Sequence, residues 1–145
     1  MDKKIQQIII DIGFFIQTSE KLPTITEIKL KSPISGCKKT SGHCRRYFRR
    51  NTYRIDVYLT TERYFPDPNG NFIDKITKEK FRKAFIGEDR KIERILKDLA
   101  HELAHTKYWR HNKEHSEYTE VLYEKIIAEY QKRTQNIEMV CMVKQ

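Results

Sequence analysis

The 145 residues make one compact domain, long enough for a core of its own and too short for two. Hydrophobic content of 38% suits a globular protein, while 34% charged residues and a mean hydropathy of -0.77 exclude a membrane-embedded one. The net charge of +9 is local: between Glu27 and Asp56 there is no acidic residue and there are nine basic ones (Lys29, Lys31, Lys38, Lys39, Arg45, Arg46, Arg49, Arg50 and Arg54), so the other 20 Lys and Arg balance the 20 Asp and Glu.

Ile5, Ile8, Ile9, Ile12, Phe15 and Ile16 recur at helical spacing, so residues 3–19 are expected to form an amphipathic helix that ends before Pro23. The apolar run from Ile8 to Ile16 follows two lysines as a signal peptide would. Asp11 interrupts it, no small-residue cleavage site follows, and it is shorter than the roughly 20 residues of a membrane span. Thr24 to Leu30, rich in β-branched residues, predicts a strand, and Ser32-Pro33 with Gly36 to Gly42 a polar loop. Cys44 to Arg50 and Tyr53 to Thr60 suit a hairpin. In the second, Tyr53, Ile55, Val57 and Leu59 share one face.

Pro66-Asp67-Pro68-Asn69-Gly70 is a turn, and Thr77 to Ile86 predicts a short helix closed by Gly87. From Glu88 to about Tyr108, Ile92, Ile95, Leu96, Leu99 and Leu103 form a helical stripe, and His101 and His105 fall together roughly opposite it with Glu102 beside them. Tyr118, Leu122, Ile126 and Tyr130 repeat every fourth residue, giving a last helix from Ser116 to about Lys132. Ile137 to Val143 alternates weakly, as a final strand or a frayed tail does. The class expected is α+β, in a single domain over residues 1–145.

Two histidines four apart on a helix direct their imidazoles to one point and can bind a single zinc, and a glutamate after the first can reach water there. His101, Glu102 and His105 meet this specification, and four of the five histidines, His101, His105, His111 and His115, fall within fifteen residues. A catalytic zinc takes three protein ligands and leaves a position open. His111 is the first candidate for the third, six residues after His105. In the longer motif with that spacing a glycine makes the turn, and Tyr108 stands in its place, which leaves Asn112, tolerant of left-handed geometry, to turn the chain. His115, Glu120 and Glu124 compete for the same role. Against all of these stands the plain possibility of histidines on a solvated helix face.

His101-Glu-Leu-Ala-His105, a five-residue gap, then His111-Asn-Lys-Glu and an aromatic, leucine-bearing helix resemble the SprT-like, WLM and YgjP-like group of small zincin metallopeptidases. The resemblance covers roughly residues 92–128 and departs from the group at His115, where an aromatic residue is common. It implies a zincin-like domain with an N-terminal helix, a small mostly antiparallel or mixed sheet, the active-site helix and a C-terminal helix. It implies Zn2+ held by His101, His105 and His111, Glu102 as general base, and hydrolysis of a protein or peptide substrate. An edge strand pairs with substrate in such enzymes, and Tyr53 to Thr60 is the candidate. Tyr108, Tyr118 and Tyr123 are the candidate donors for transition-state charge.

Residues 28–55 form the basic segment. Lys38, Lys39, Arg45, Arg46, Arg49, Arg50 and Arg54, with Tyr47, Phe48 and Tyr53 among them, offer charges for phosphates and rings for bases, although basic hairpins also serve only to keep edges soluble. The resemblance adds DNA as a partner, since members of that group are associated with cleaving proteins crosslinked to DNA. A second metal at Cys37, His43 and Cys44 lacks a nearby fourth donor. Three cysteines, Cys37, Cys44 and Cys141, without framework spacing fit a reducing, cytoplasmic setting. Two other readings stand beside the zinc peptidase: a non-catalytic nucleic-acid-binding domain with a structural zinc, and a latent peptidase in which His115 or Cys141 fills the open position.

Overall fold

In the computed structural model, which describes residues 1–31 and 42–143, the protein is α+β, with three helices and two three-stranded sheets. Helix α1 (Lys3–Ser19) starts at Asp2, whose carboxylate accepts from the Lys4 amide at 2.7 Å. It buries Ile9, Ile12, Gly13 and Ile16. A Cβ on Gly13 would stand 2.5 Å from the Ile28 side chain, so the missing methyl lets α1 close on the first strand.

The first sheet is mixed, in the order β1 (Ile25–Lys31), β3 (Thr52–Tyr58), β2 (Gly42–Tyr47). β1 runs parallel to β3, and β2 runs antiparallel to it in the expected hairpin. Tyr53, Ile55 and Val57 of β3 are buried with Ile25 and Ile28 of β1 against the helices. The expectation that Tyr53 to Thr60 is the substrate-pairing edge is overturned: β3 is the centre strand, and both its ladders are occupied. Beside the motif helix, β2 is the edge.

β4 (Thr60–Pro66), β5 (Phe72–Ile73) and β6 (Lys80–Asp89) form an antiparallel sheet in the order β4-β6-β5. The helix expected over Thr77 to Ile86 is therefore a strand. Lys80 to Asp89 pairs with β4, and these hydrogen bonds outweigh a weak helical pattern. At the end of β6, Arg90 donates to the Tyr58 carbonyl at 3.1 Å and pairs with Asp98.

Helix α2 (Ile92–Ala104) starts later than expected because Glu88 and Asp89 belong to β6. Ile95, Leu96, Leu99, Ala100, Leu103 and Ala104 are buried, each large side chain contributing about 1.5–3 kcal/mol of transfer free energy. Helix α3 (Lys113–Val143) buries Leu122 and Ile126 on the same core. It carries on through Ile137 to Val143, so the final strand or frayed tail is not formed. An ion pair between Lys125 and Glu20 joins α3 to the end of α1. Among the described residues no helix is long and apolar enough to cross a membrane.

Candidate metal centre

Helix α2 ends in a tightened turn. The amides of His105, Thr106 and Lys107 reach carbonyls three residues back at 3.1–3.2 Å, and the Thr106 hydroxyl donates to the Leu103 carbonyl at 2.7 Å. The chain then reverses over residues 105–112, and Asn112 begins α3, its Oδ1 accepting from the His115 amide at 2.9 Å. Asn112 is thus the N-cap of α3 and does not take up left-handed geometry: among the described non-glycine residues, positive φ is confined to Lys21, Asn51 and Lys78. The reversal brings His111 back over the last turn of α2.

Three imidazole Nε2 atoms meet there. His101 and His111 are 3.1 Å apart, His105 and His101 3.2 Å, and His105 and His111 3.0 Å. His105 Nδ1 lies 3.2 Å from the Tyr108 carbonyl oxygen, which accepts only from a protonated nitrogen, so the neutral ring presents a bare Nε2. The triangle has three edges and at most two protons, from His101 and His111. Whichever way these are arranged, one edge sets like groups against each other. A cation bound by all three lone pairs removes the conflict. Zinc with nitrogen at about 2.0–2.1 Å in tetrahedral geometry wants its ligands roughly 3.3 Å apart, close to the observed spacing.

His101, His105 and His115 also lie close enough to bind a metal ion, with ligand atoms within 4.8 Å of one another. The two sets share the α2 pair and differ in the third member. The shorter Nε2 distances belong to His111. His115 Nε2 is engaged at 3.0 Å with the His101 carbonyl, and its ring stacks on that of His105 with centroids 4.0 Å apart. The competing carboxylates are elsewhere: Glu120 is exposed and pairs with Lys97 at 3.2 Å, and Glu124 is exposed on α3.

Glu102 is 5% exposed, so the picture of a solvated face carrying the motif does not hold. Its carboxylate faces β2, where a Cβ on Gly42 would lie 3.2 Å from both its Cγ and its Oε1. Burial, followed by Asp98 and Asp56, pushes the Glu102 carboxyl up to about 8 in the metal-free protein. The imidazoles move the other way. Burial and then the neighbouring rings of His105, His115 and His111 lower His101 to about 4, and burial chiefly lowers His105 and His115. Neutral rings are the state a metal requires.

Sequence reading missed Gly42, expected to close a loop and found to open β2. It missed the Tyr108 carbonyl as well, since a backbone acceptor carries no residue signature. The candidate donors of transition-state charge make ring contacts with nearby lysines. The Tyr108 and Tyr118 rings are 5.7 Å apart beneath the Lys107 ammonium, and Tyr123 lies under Lys97. His43 is exposed and Cys44 faces the helices, so strand alternation separates these two proposed ligands of a second metal; Cys37 and the Cys141 side chain lie outside the described residues.

The basic segment divides. Arg54 pairs with Glu27 at 3.5 Å and Asp56 at 3.6 Å, and the Arg46 guanidinium lies 4.8 Å from the Phe48 ring centroid and 5.9 Å from that of Tyr53. Arg45, Arg49 and Arg50 are exposed without an ion pair among the described residues, and Lys38 and Lys39 lie outside them. No family model, curated protein or solved structure matches the chain.

Proposed function

We propose that the chain is a zinc-dependent metallopeptidase of the small zincin kind its motif resembles, with Glu102 as general base. The observation that carries this reading is the meeting of three imidazole Nε2 atoms within 3.2 Å, with the buried Glu102 next in sequence to the first. Three nitrogen ligands leave a position for water or substrate, the catalytic count rather than the structural one. When bound, zinc supplies Lewis-acid polarisation of the scissile carbonyl and brings the pKa of water down to near 7. Glu102 accepts the proton of the attacking water at a carboxylate oxygen and delivers it to the leaving amine nitrogen. The β2 backbone beside it offers hydrogen bonds to an extended peptide, in place of the β3 edge first expected.

The test is zinc content together with casein hydrolysis, with and without chelator. The wild type is expected to hold one zinc and lose activity with it. Glu102→Gln is expected to keep the zinc while turnover falls about 10²–10⁴-fold. A wild type carrying one zinc that hydrolyses neither casein nor unstructured peptides sinks the reading in favour of a structural zinc.

A second element, nucleic acid as a partner, is favoured by one feature. At the β2–β3 turn a cavity of about 520 Å³ is lined in part by Tyr47, Phe48, Arg49, Arg50 and Thr52, and Phe48 is 75% exposed. Rings and free guanidinium groups at one place suit bases and phosphates, so the substrates would be DNA-associated proteins. Arg49→Ala with Arg50→Ala is expected to weaken single-stranded oligonucleotide binding and flatten its salt dependence. An unchanged salt slope removes nucleic acid from the reading.

A further inference from the structure

His115 is 2% exposed, yet it bears a titratable, metal-binding side chain that the reaction does not use. It comes from α3, while the His101 carbonyl and His105 ring it holds belong to the last turn and C-cap of α2, and the His111 ring meets it edge-on at 5.4 Å. Its Nε2 stands 3.0 Å from the His101 carbonyl oxygen and so carries the ring proton. Its ring lies against His105 with centroids 4.0 Å apart and planes 27° from parallel. It meets the His101 ring edge-on at 4.5 Å. One side chain therefore grips the backbone of the first ligand and the ring of the second. Its own position is fixed in turn, since Asn112 caps its amide and the Thr119 hydroxyl donates to its carbonyl at 2.8 Å.

We infer that His115 is a positioning residue of the metal centre: it locks the last turn of α2 and the His105 ring so that the three Nε2 atoms converge before a metal arrives. The inference rests on the metal-centre reading above and adds that the third ligand is His111, with His115 outside the coordination sphere. The two halves of the grip are separable. A glutamine amide nitrogen reaches about as far as Nε2 and can donate to the His101 carbonyl, but it does not stack. A phenylalanine stacks on His105 and cannot donate. Outer partners of metal ligands typically tune affinity about 10–100-fold without changing stoichiometry.

The experiment compares the full-length wild type with His115→Gln, His115→Phe and His111→Ala. It measures zinc affinity by chelator competition, the visible spectrum of the cobalt-substituted proteins, and histidine tautomers of the metal-free proteins from long-range proton–nitrogen spectra. The wild type is expected to show His115 protonated at Nε2 and His105 at Nδ1. Both His115 variants are expected to bind one zinc, about 10–100-fold more weakly in His115→Phe and less affected in His115→Gln, with cobalt spectra of the same donor class as wild type. His111→Ala is expected to lose tight binding. If His115→Phe does not fold, as judged by circular dichroism, His115→Gln and the tautomers of the wild type still decide.

Zinc lost from both His115 variants and retained at wild-type affinity by His111→Ala makes His115 a ligand and overturns the inference. Wild-type affinity in both His115 variants overturns it too, while leaving the three-ligand centre intact. A wild type that binds no zinc removes the metal-centre reading itself, and the role of His115 with it.

Discussion

His105 Nδ1 faces the Tyr108 carbonyl oxygen at 3.2 Å, and this contact settles which nitrogen of the ring is free. The carbonyl belongs to the segment that reverses the chain after α2, so the fold of the reversal and the tautomer of the His105 ring are one feature. The same segment carries His111.

The proposed donor set rests on these contacts. His101→Ala, His105→Ala and His111→Ala are each expected to weaken zinc binding by at least about 100-fold, because a two-nitrogen site lacks the ligand count zinc requires. Glu120→Gln and Glu124→Gln are expected to leave it within about twofold, since both carboxylates are exposed on α3 and Glu120 pairs with Lys97. Chelator competition measures all five. Zinc loss in Glu120→Gln or Glu124→Gln would mean that α3 is oriented differently at the site.

Gly42 admits a second substitution that separates chemistry from metal binding. A Cβ there would lie 2.9 Å from the Asp56 carbonyl oxygen and 3.2 Å from Glu102 Cγ and Oε1. Gly42→Ala therefore forces β2 or the Glu102 side chain to shift, at a cost of about 1–3 kcal/mol. The expected result is one zinc at near-normal affinity, turnover lowered at least about tenfold, and a lower melting temperature. Casein hydrolysis at the wild-type rate would show that the Glu102 carboxylate has room to move without consequence.

Much of the architecture was legible because burial imposes its period on the sequence. The alternation of Tyr53, Ile55 and Val57 and the stripe of Ile95, Leu96, Leu99 and Leu103 are consequences of facing one core. The segment Lys80–Asp89 was misread because its partner, β4, is some twenty residues away and pairing of that kind leaves little local trace. At the site, side chains with distinctive chemistry announced themselves: His101, Glu102, His105 and His111. The supports did not. The Tyr108 carbonyl is backbone, Gly42 acts through an atom it lacks, and the hydrogen bond from His115 to the His101 carbonyl joins residues 14 apart in sequence.

Cys44 offers a check on the packing around Glu102 that needs neither metal nor substrate. Burial, and secondarily the Glu102 carboxylate, pushes its thiol up to about 12. Only the thiolate reacts with disulfide reagents, so in a Cys37→Ala, Cys141→Ala background the folded protein is expected to label at pH 8 at least about 100-fold more slowly than the denatured chain. Glu102→Gln removes the smaller cause alone and is expected to speed labelling only slightly. Labelling of the native protein at the rate of the denatured chain would place Cys44 in solvent and dismantle the interface between α2 and β2.

The pH dependence of the metal-free chain has two limbs of opposite sign. His101 is lowered to about 4, and His105 and His115 are also lowered, against 6.5 in the unfolded chain. Below pH 6.5 the unfolded state therefore binds more protons at these three rings, and stability falls as pH falls. Glu102 acts in reverse: raised to about 8 from 4.5, it contributes stability that is complete below pH 4.5 and lost as pH rises through 8. From 4.5 to 6.5 His101 offsets Glu102, and the lowering of His105 and His115 acts in the same direction as His101, so stability rises with pH. From 6.5 to 8 Glu102 dominates, and stability declines by at most about 1.4 kcal/mol per pH unit. Melting temperatures in excess chelator at pH 5, 6.5 and 8 are thus expected to peak at the middle value. Glu102→Gln keeps the acid limb and flattens the alkaline one. A variant that still declines between pH 6.5 and 8 as steeply as the wild type would assign that limb to another group and deny Glu102 its buried, protonated state.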